Sequence, residues 1–198
     1  MIGLRWARIF GFVAAMCGML AACETTDPEP AFAELSYAHL GAIPLDVRRI
    51  EVVRAYKPPA KKPNVEHLFP VSPLATAERW VNDRLRAAGR AGIAQATISR
   101  ASVVEVPLKR TEGVRGVFTK DQTERYDGLI EITIRILGDD GREKASVMAR
   151  AERSRTVAED VSLIDREKVW FEMTEAMMND LNASLQRQIN KHLGAFVR

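Results

Sequence analysis

Tyr126-Asp127-Gly128-Leu129-Ile130-Glu131-Ile132-Thr133-Ile134-Arg135-Ile136-Leu137 carries the clearest alternation in the chain. Ile130, Ile132, Ile134 and Ile136 face one way, and Glu131, Thr133 and Arg135 face the other. A period of two marks a strand with one buried face and one wet face, as in an antiparallel sheet covered on a single side. Gly138-Asp139-Asp140-Gly141 supplies a hairpin turn. Glu143 to Val157 then returns with Ala145, Val147, Ala149 and Ala151 on one face, where small side chains let a helix approach closely. Upstream, Ile93 to Leu108 places Ile98, Val104, Val106 and Leu108 on alternating positions, with Pro107 marking an edge or a strand end. Val47 to Val53 is rich in β-branched residues and is expected to be the first strand.

Two helices accompany these strands. Ser72 to Ala88 has a capping serine, Pro73 in the first turn and Gly89 as a terminator. Leu74, Ala77, Val81, Leu85 and Ala88 form its apolar stripe, flanked by Trp80. Arg79, Arg84 and Arg86 fall outside the stripe and are expected on a solvated face, paired with Glu78 and Asp83. From about Asp165 to Leu193 a second stripe runs through Val169, Trp170, Met173, Met177, Leu181, Leu185, Ile189 and Leu193. At ~1.5 Å per residue that helix extends roughly 40 Å. It is expected to cover the sheet with its first turns and project its far end beyond it. The predicted class is α+β: a four-stranded, mostly antiparallel sheet with two helices packed on one face.

Two connections stand out. Lys57 to Pro70 holds Pro58, Pro59, Pro63 and Pro70, which remove donors and force extended backbone, so it is expected to be a solvated loop pinned by Leu68 and Phe69. Lys109 to Arg125 carries the apolar pair Val117-Phe118 inside a polar loop. That pair either inserts into a membrane or partner, or folds back on the core; it is the candidate partner-binding element.

The N-terminal segment speaks to location. Arg5 and Arg8 precede an apolar run from Ile9 to Leu20, about the length of a signal core and short of the ~20 residues a membrane span needs. Leu20-Ala21-Ala22-Cys23 follows. This resembles the bacterial lipoprotein signal, and the resemblance covers the first 23 residues. It implies cleavage before Cys23, a diacylglyceryl group on its sulfur and a third acyl chain on its amine. Two or more chains hold a protein firmly at a bilayer. Glu24, rather than aspartate, follows the cysteine, which favours the outer membrane. The expected organisation is a signal peptide over 1–22, a lipidated flexible tether over 23–36, and a single periplasmic domain over 37–198.

With the leader gone, Lys and Arg fall from 29 to 27 by loss of Arg5 and Arg8, against 26 Asp and Glu. The apparent basicity disappears, and with it the electrostatic case for nucleic-acid binding. Cys17 leaves with the leader and Cys23 is taken by lipid, so no disulfide or cysteine-type metal site is expected. His39, His67 and His192 share no metal-binding spacing. No Gly-x-Ser-x-Gly elbow, Ser-x-x-Lys pair or phosphate-cradling glycine loop occurs. Glu131 on the polar strand face is expected to be solvated. Neither a catalytic residue nor a cofactor is assigned.

The order strand, helix, three strands, helix over residues 45–193, behind a lipobox, is similar to small envelope lipoproteins. It looks most like the lipopolysaccharide-assembly lipoprotein that plugs an outer-membrane barrel, and it also resembles the auxiliary lipoproteins of lipid-moving ABC transporters. The aromatic and glycine-containing stretch that follows the cysteine in the assembly lipoprotein is replaced by Glu24-Thr25-Thr26, so no functional residue carries over. The first reading is a non-catalytic accessory protein of the envelope that binds another envelope protein or a lipid, with the Val117-Phe118 loop and the far end of the last helix as its expected contacts. A small-ligand or glycan-binding domain is the alternative, and would need a pocket between sheet and helices. An envelope hydrolase ranks third.

Overall fold

The computed structural model describes residues 32–108, 122–158 and 160–198. Cys23 and the Val117-Phe118 pair lie outside the described residues. The class is α+β, as the sequence predicts. A four-stranded sheet is built from β2 (Arg49–Arg54), β4 (Ile93–Pro107), β5 (Gln122–Leu137) and β6 (Glu143–Ala158), in that spatial order. β5 runs antiparallel to both β4 and β6, while β2 is parallel to β4. A separate parallel pair joins β1 (Ile43–Leu45) to β3 (Leu85–Ala87). Helices α1 (Pro73–Arg84) and α2 (Leu163–His192) accompany the sheet.

Alternation decides which face is covered. Ile130, Ile132, Ile134 and Ile136 are buried, opposite Ala151, Ala149, Val147 and Ala145 of β6. Met173, Met177, Met178, Leu181 and Leu185 of α2 are fully buried in the same core. Gly128 belongs to this face: a Cβ there would lie 2.5 Å from Met173 Cε and 2.7 Å from Met177 Sδ. A side chain there would have to displace the flexible ends of these two methionines.

β4 departs from simple alternation. Its register shifts between Ile98 and Arg100, so Ser99 is an extra residue in the strand. A bulge of this kind moves the inward face from one parity to the other. Ala94, Ala96 and Ile98 point inward before it, and Ala101 and Val103 after it. Val104 and Val106, expected on the face of Ile98, are instead only half-buried on the outer face.

The first helix is shorter than its pattern predicts. Ser72 caps it by accepting from the Ala75 amide, but the helix ends at Arg84, because Leu85–Ala87 pair with β1. Trp80, expected to flank the stripe, is fully buried. Gly89 is not a helix terminator. It passes against the backbone of Asp46 and Val47, and its amide donates to Val47 O at 3.0 Å. A Cβ at Gly89 would lie 2.5 Å from the Asp46 carbonyl carbon and 2.6 Å from Val47 N. Backbone cannot swing aside as a side-chain tip can. Gly89→Ala should therefore cost about 1–3 kcal/mol, read as a lower urea midpoint at unchanged slope.

The far end of α2 does not project. Leu185, Ile189 and Leu193 are fully buried. The chain's last residues fold back beside β1: Asp46 N donates to Phe196 O at 2.7 Å, Arg198 N donates to Pro44 O at 2.9 Å, and Arg198 pairs with Asp46. The apolar stripe runs the whole length of the helix because partners close over all of it.

The proline-rich connection is tied to the sheet more firmly than a solvated loop. Val65 N donates to Val103 O at 2.9 Å and Glu105 N to Pro63 O at 2.8 Å, so residues 63–65 continue the edge of β4 beyond the end of β2. Glu66 is buried and accepts from Tyr56 Oη at 2.6 Å and Val103 N at 3.0 Å. Phe69 pins the loop as expected, stacking on Trp170 at 5.0 Å, whereas Leu68 is half exposed. Tyr126 meets the same Trp170 edge-on at 5.6 Å.

Candidate functional site: the seat of the N-terminal arm

The described chain begins with an arm laid across both helices. Phe32 packs on Phe171 of α2 at 5.3 Å. Glu34 pairs with Arg79 of α1. Asp83 accepts from Ser36 Oγ at 2.9 Å and from the Tyr37 amide at 2.8 Å. Tyr37 is buried, and its hydroxyl donates to Asn179 Oδ1 of α2 at 3.0 Å. Arg84 donates to Leu40 O at 2.8 Å, to Gly41 O, and to Gln186 of α2. Five side chains from two helices thus hold ten residues of arm.

The expectation for the basic face of α1 is corrected here. Glu78 is taken by Arg54 of β2, and Asp83 by the arm. Arg79 serves Glu34, and Arg84 is 5% exposed with no carboxylate among its described partners. Burial pulls the Arg84 pKa below the ordinary arginine value. Arg86 alone is exposed as expected. Periodicity places these side chains off the apolar stripe correctly, but an arm about 45 residues upstream covers that flank.

Two clefts border the arm. One, of about 120 Å³, lies between Phe32, Glu34 and the start of α1 at Ser72, Ala75 and Arg79. The other, of about 340 Å³, is lined by Ser36, Tyr37, His39, Glu175 and Asn179. Both are grooves left where the arm does not fully fill the helical surface. A third, of about 360 Å³, opens beside Gly128 between Asp127, Glu152, Arg153 and Ser154. None of these three, among the described residues, lies between sheet and helices, where the glycan-binding alternative needs one.

The other residues considered from the sequence are dispersed. His39, His67 and His192 are exposed in three separate elements. Among the described residues, no group of three His, Cys, Asp or Glu side chains is placed to hold a metal. Glu131 is half-buried rather than solvated, accepting from Ser99 Oγ at 2.6 Å across the bulge. No helix of the described residues is long and apolar enough to cross a membrane.

The tyrosines report on how the body is closed. All three are held above the ordinary phenol pKa. Tyr37 is pushed up to about 12 by burial and then by the Glu175 carboxylate. Tyr56 and Tyr126 rise through burial and then through donating to Glu66 and Glu124. A raised folded pKa contributes stability that is complete below the unfolded value, ~10, and is lost as pH rises through the folded one. Phenolate absorbance should therefore stay low in the folded protein above pH ~10 and rise together with loss of near-ultraviolet dichroism. A gradual, independent titration near pH ~10 would contradict the buried placement.

No family model matches the chain, and no curated protein does. Among solved structures, the rare lipoprotein B of Shewanella oneidensis is similar at a TM-score of 0.38 and 10% identity, over 73% of this chain and 96% of that one. A DUF330 protein of Xanthomonas campestris is similar at a TM-score of 0.30 and 11% identity, over 83% of this chain and 93% of that one. Likeness at this level does not bear on what the chain does.

Proposed function

We propose that this is a lipid-anchored lipoprotein of the cell envelope, held at the outer membrane by acylated Cys23, with a non-catalytic accessory or binding role. The observation that carries the reading is the box Leu20-Ala21-Ala22-Cys23 behind a charged and then apolar leader. The seat of the arm is compatible with such an anchor. Phe32 follows Cys23 by nine residues, which at ~3.3–3.6 Å each span at most about 30 Å. The body would thus stay close to the bilayer. Residues 24–30 carry two prolines and three acidic groups, a composition suited to an extended spacer. A binding role by surface rather than by pocket fits the filled interface of Ile, Met and Leu between sheet and helices. Val117 and Phe118 remain the proposed contact for an envelope protein or lipid.

Cys23→Ser followed by cell fractionation tests the anchor. The variant is expected to lose acylation, by mass spectrometry of its N-terminal peptide, and to leave the membrane fraction. Retention equal to the parent's overturns the reading. For the binding role, Val117→Asp with Phe118→Asp should abolish crosslinks between the anchored protein and its envelope neighbours. Crosslinks unchanged by that pair would remove this loop as the contact.

A further inference from the structure

The two long edges of the sheet are finished differently. On one side β2 pairs with residues 93–98 of β4, and residues 63–65 of the proline-rich connection take over at 103–105. On the other side β6 runs for 16 residues and, among the described residues, pairs only with β5. A row of unpaired amides and carbonyls is a template for another strand. We propose that β6 is a homodimer interface, pairing antiparallel with β6 of a second copy about a twofold axis at Ala151, so that two four-stranded sheets become one of eight.

Symmetry and charge favour that register; an axis at Ala149, for comparison, brings together only Glu143 and Arg155 and leaves Arg150 against Met148 and Glu152 against Ser146. Two antiparallel strands side by side are related by a twofold axis perpendicular to the sheet, so inward residues meet inward residues. The axis must then pass through a residue rather than between two. Centred on Arg150, Glu152 or Arg153, it sets a charge against its own copy. Centred on Ser154, it sets Arg153 against Arg155. Centred on Ala151, it sets Arg150 against Glu152 of the second copy, and does so twice. Arg153 then faces Ala149, Arg155 faces Val147, and Met148 faces Ser154. Opposite charges directly across strands stabilise the pair, and like charges oppose it.

The side chains concerned are available. Arg150 and Glu152 pair with each other within the strand, yet they are 53% and 60% exposed. Met148 beside them is 54% exposed, a large apolar side chain on the otherwise polar outer row of β6. An axis at Met148 also brings opposite charges together, Lys144 with Glu152 and Glu143 with Arg153. It engages only residues 143–153, against 144–158 for the Ala151 axis, and relies on the irregular start of the strand, where the register with β5 shifts. Arg153 is moreover already paired with Asp180 of α2.

Sedimentation equilibrium of the purified full chain in density-matched detergent tests the proposal. The parent is expected to dimerise. Arg150→Glu and Glu152→Arg should each weaken the dimer roughly tenfold, since each sets like charges across both symmetric contacts. The double variant Arg150→Glu/Glu152→Arg should recover parent affinity. At a concentration low enough for the parent to be monomeric, all three should keep the parent's melting profile, because the two side chains lie on an exposed face. A monomer at every concentration overturns the proposal, as does a dimer that the single variants leave unchanged or that the double variant fails to rescue. The outcome does not depend on Cys23 acylation, so it stands or falls separately from the anchor.

Discussion

Trp80→Ala is expected to remove about 4–6 kcal/mol, more than any other substitution proposed. Trp80 is fully exposed to nothing but protein: its relative accessibility is zero, at the centre of α1. Truncating a buried aromatic side chain costs about 3–5 kcal/mol through lost transfer energy and the cavity left behind. A further ~1 kcal/mol follows from the indole Nε1–H, which donates to Asn182 Oδ1 of α2 at 2.9 Å. Trp80→Phe keeps most of the ring volume and loses the hydrogen bond, so it should cost about 1–2 kcal/mol. Against the 5–15 kcal/mol of a typical domain, the alanine variant would sit near the edge of folding. Urea denaturation measures both. A loss below ~1.5 kcal/mol for alanine would mean that the α1–α2 contact is not what closes the core.

Arg84→Met is expected to cost about 2–4 kcal/mol and to release the arm selectively. The guanidinium is the shared donor for Leu40 O, Gly41 O and Gln186 Oε1. Methionine fills the space but makes none of these three bonds; a hydrogen bond from a charged donor contributes about 1.5–3 kcal/mol, and less where the acceptor can turn to water, as at exposed Leu40 and Gly41. Removing a buried charge returns part of that, because its desolvation is no longer opposed to folding. Arg84→Lys keeps the charge but cannot reach three acceptors with one planar fork, so about half the loss should remain. The local reading is amide exchange. Leu40 N and Gly41 N, which donate to Tyr37 O and Ala38 O, should lose protection in the methionine variant before the strands do. Protection retained there would show that Tyr37 and Asp83 suffice to hold the arm.

These two residues show where a single sequence stops being readable. Trp80 and Arg84 sit one turn apart on α1, and both lie off the apolar stripe. The stripe registers what faces the sheet. It does not register that α2 covers one flank of α1 and the arm another. Arg84 therefore looks like a solvated cation until Leu40 and Gly41 are brought to it from more than 40 residues away. Likewise Glu66 looks like a loop carboxylate, and only the fold supplies Tyr56 Oη and Val103 N.

What the residues determine unaided is whatever depends on neighbours a few positions away. The isoleucine alternation of β5, the small inward face of β6, the Gly-Asp-Asp-Gly turn and the long stripe of α2 follow from periods of two and 3.6, so class and layer order are legible. Contacts between distant segments decided the rest. Ser99 entered as an extra residue and reversed the parity of β4; Leu85–Ala87 left the helix because β1 offered a hydrogen-bonding partner; residues 196–198 turned back to lie beside β1 instead of continuing α2. Each is settled by a partner remote in sequence, and a local pattern carries no information about which remote partner arrives.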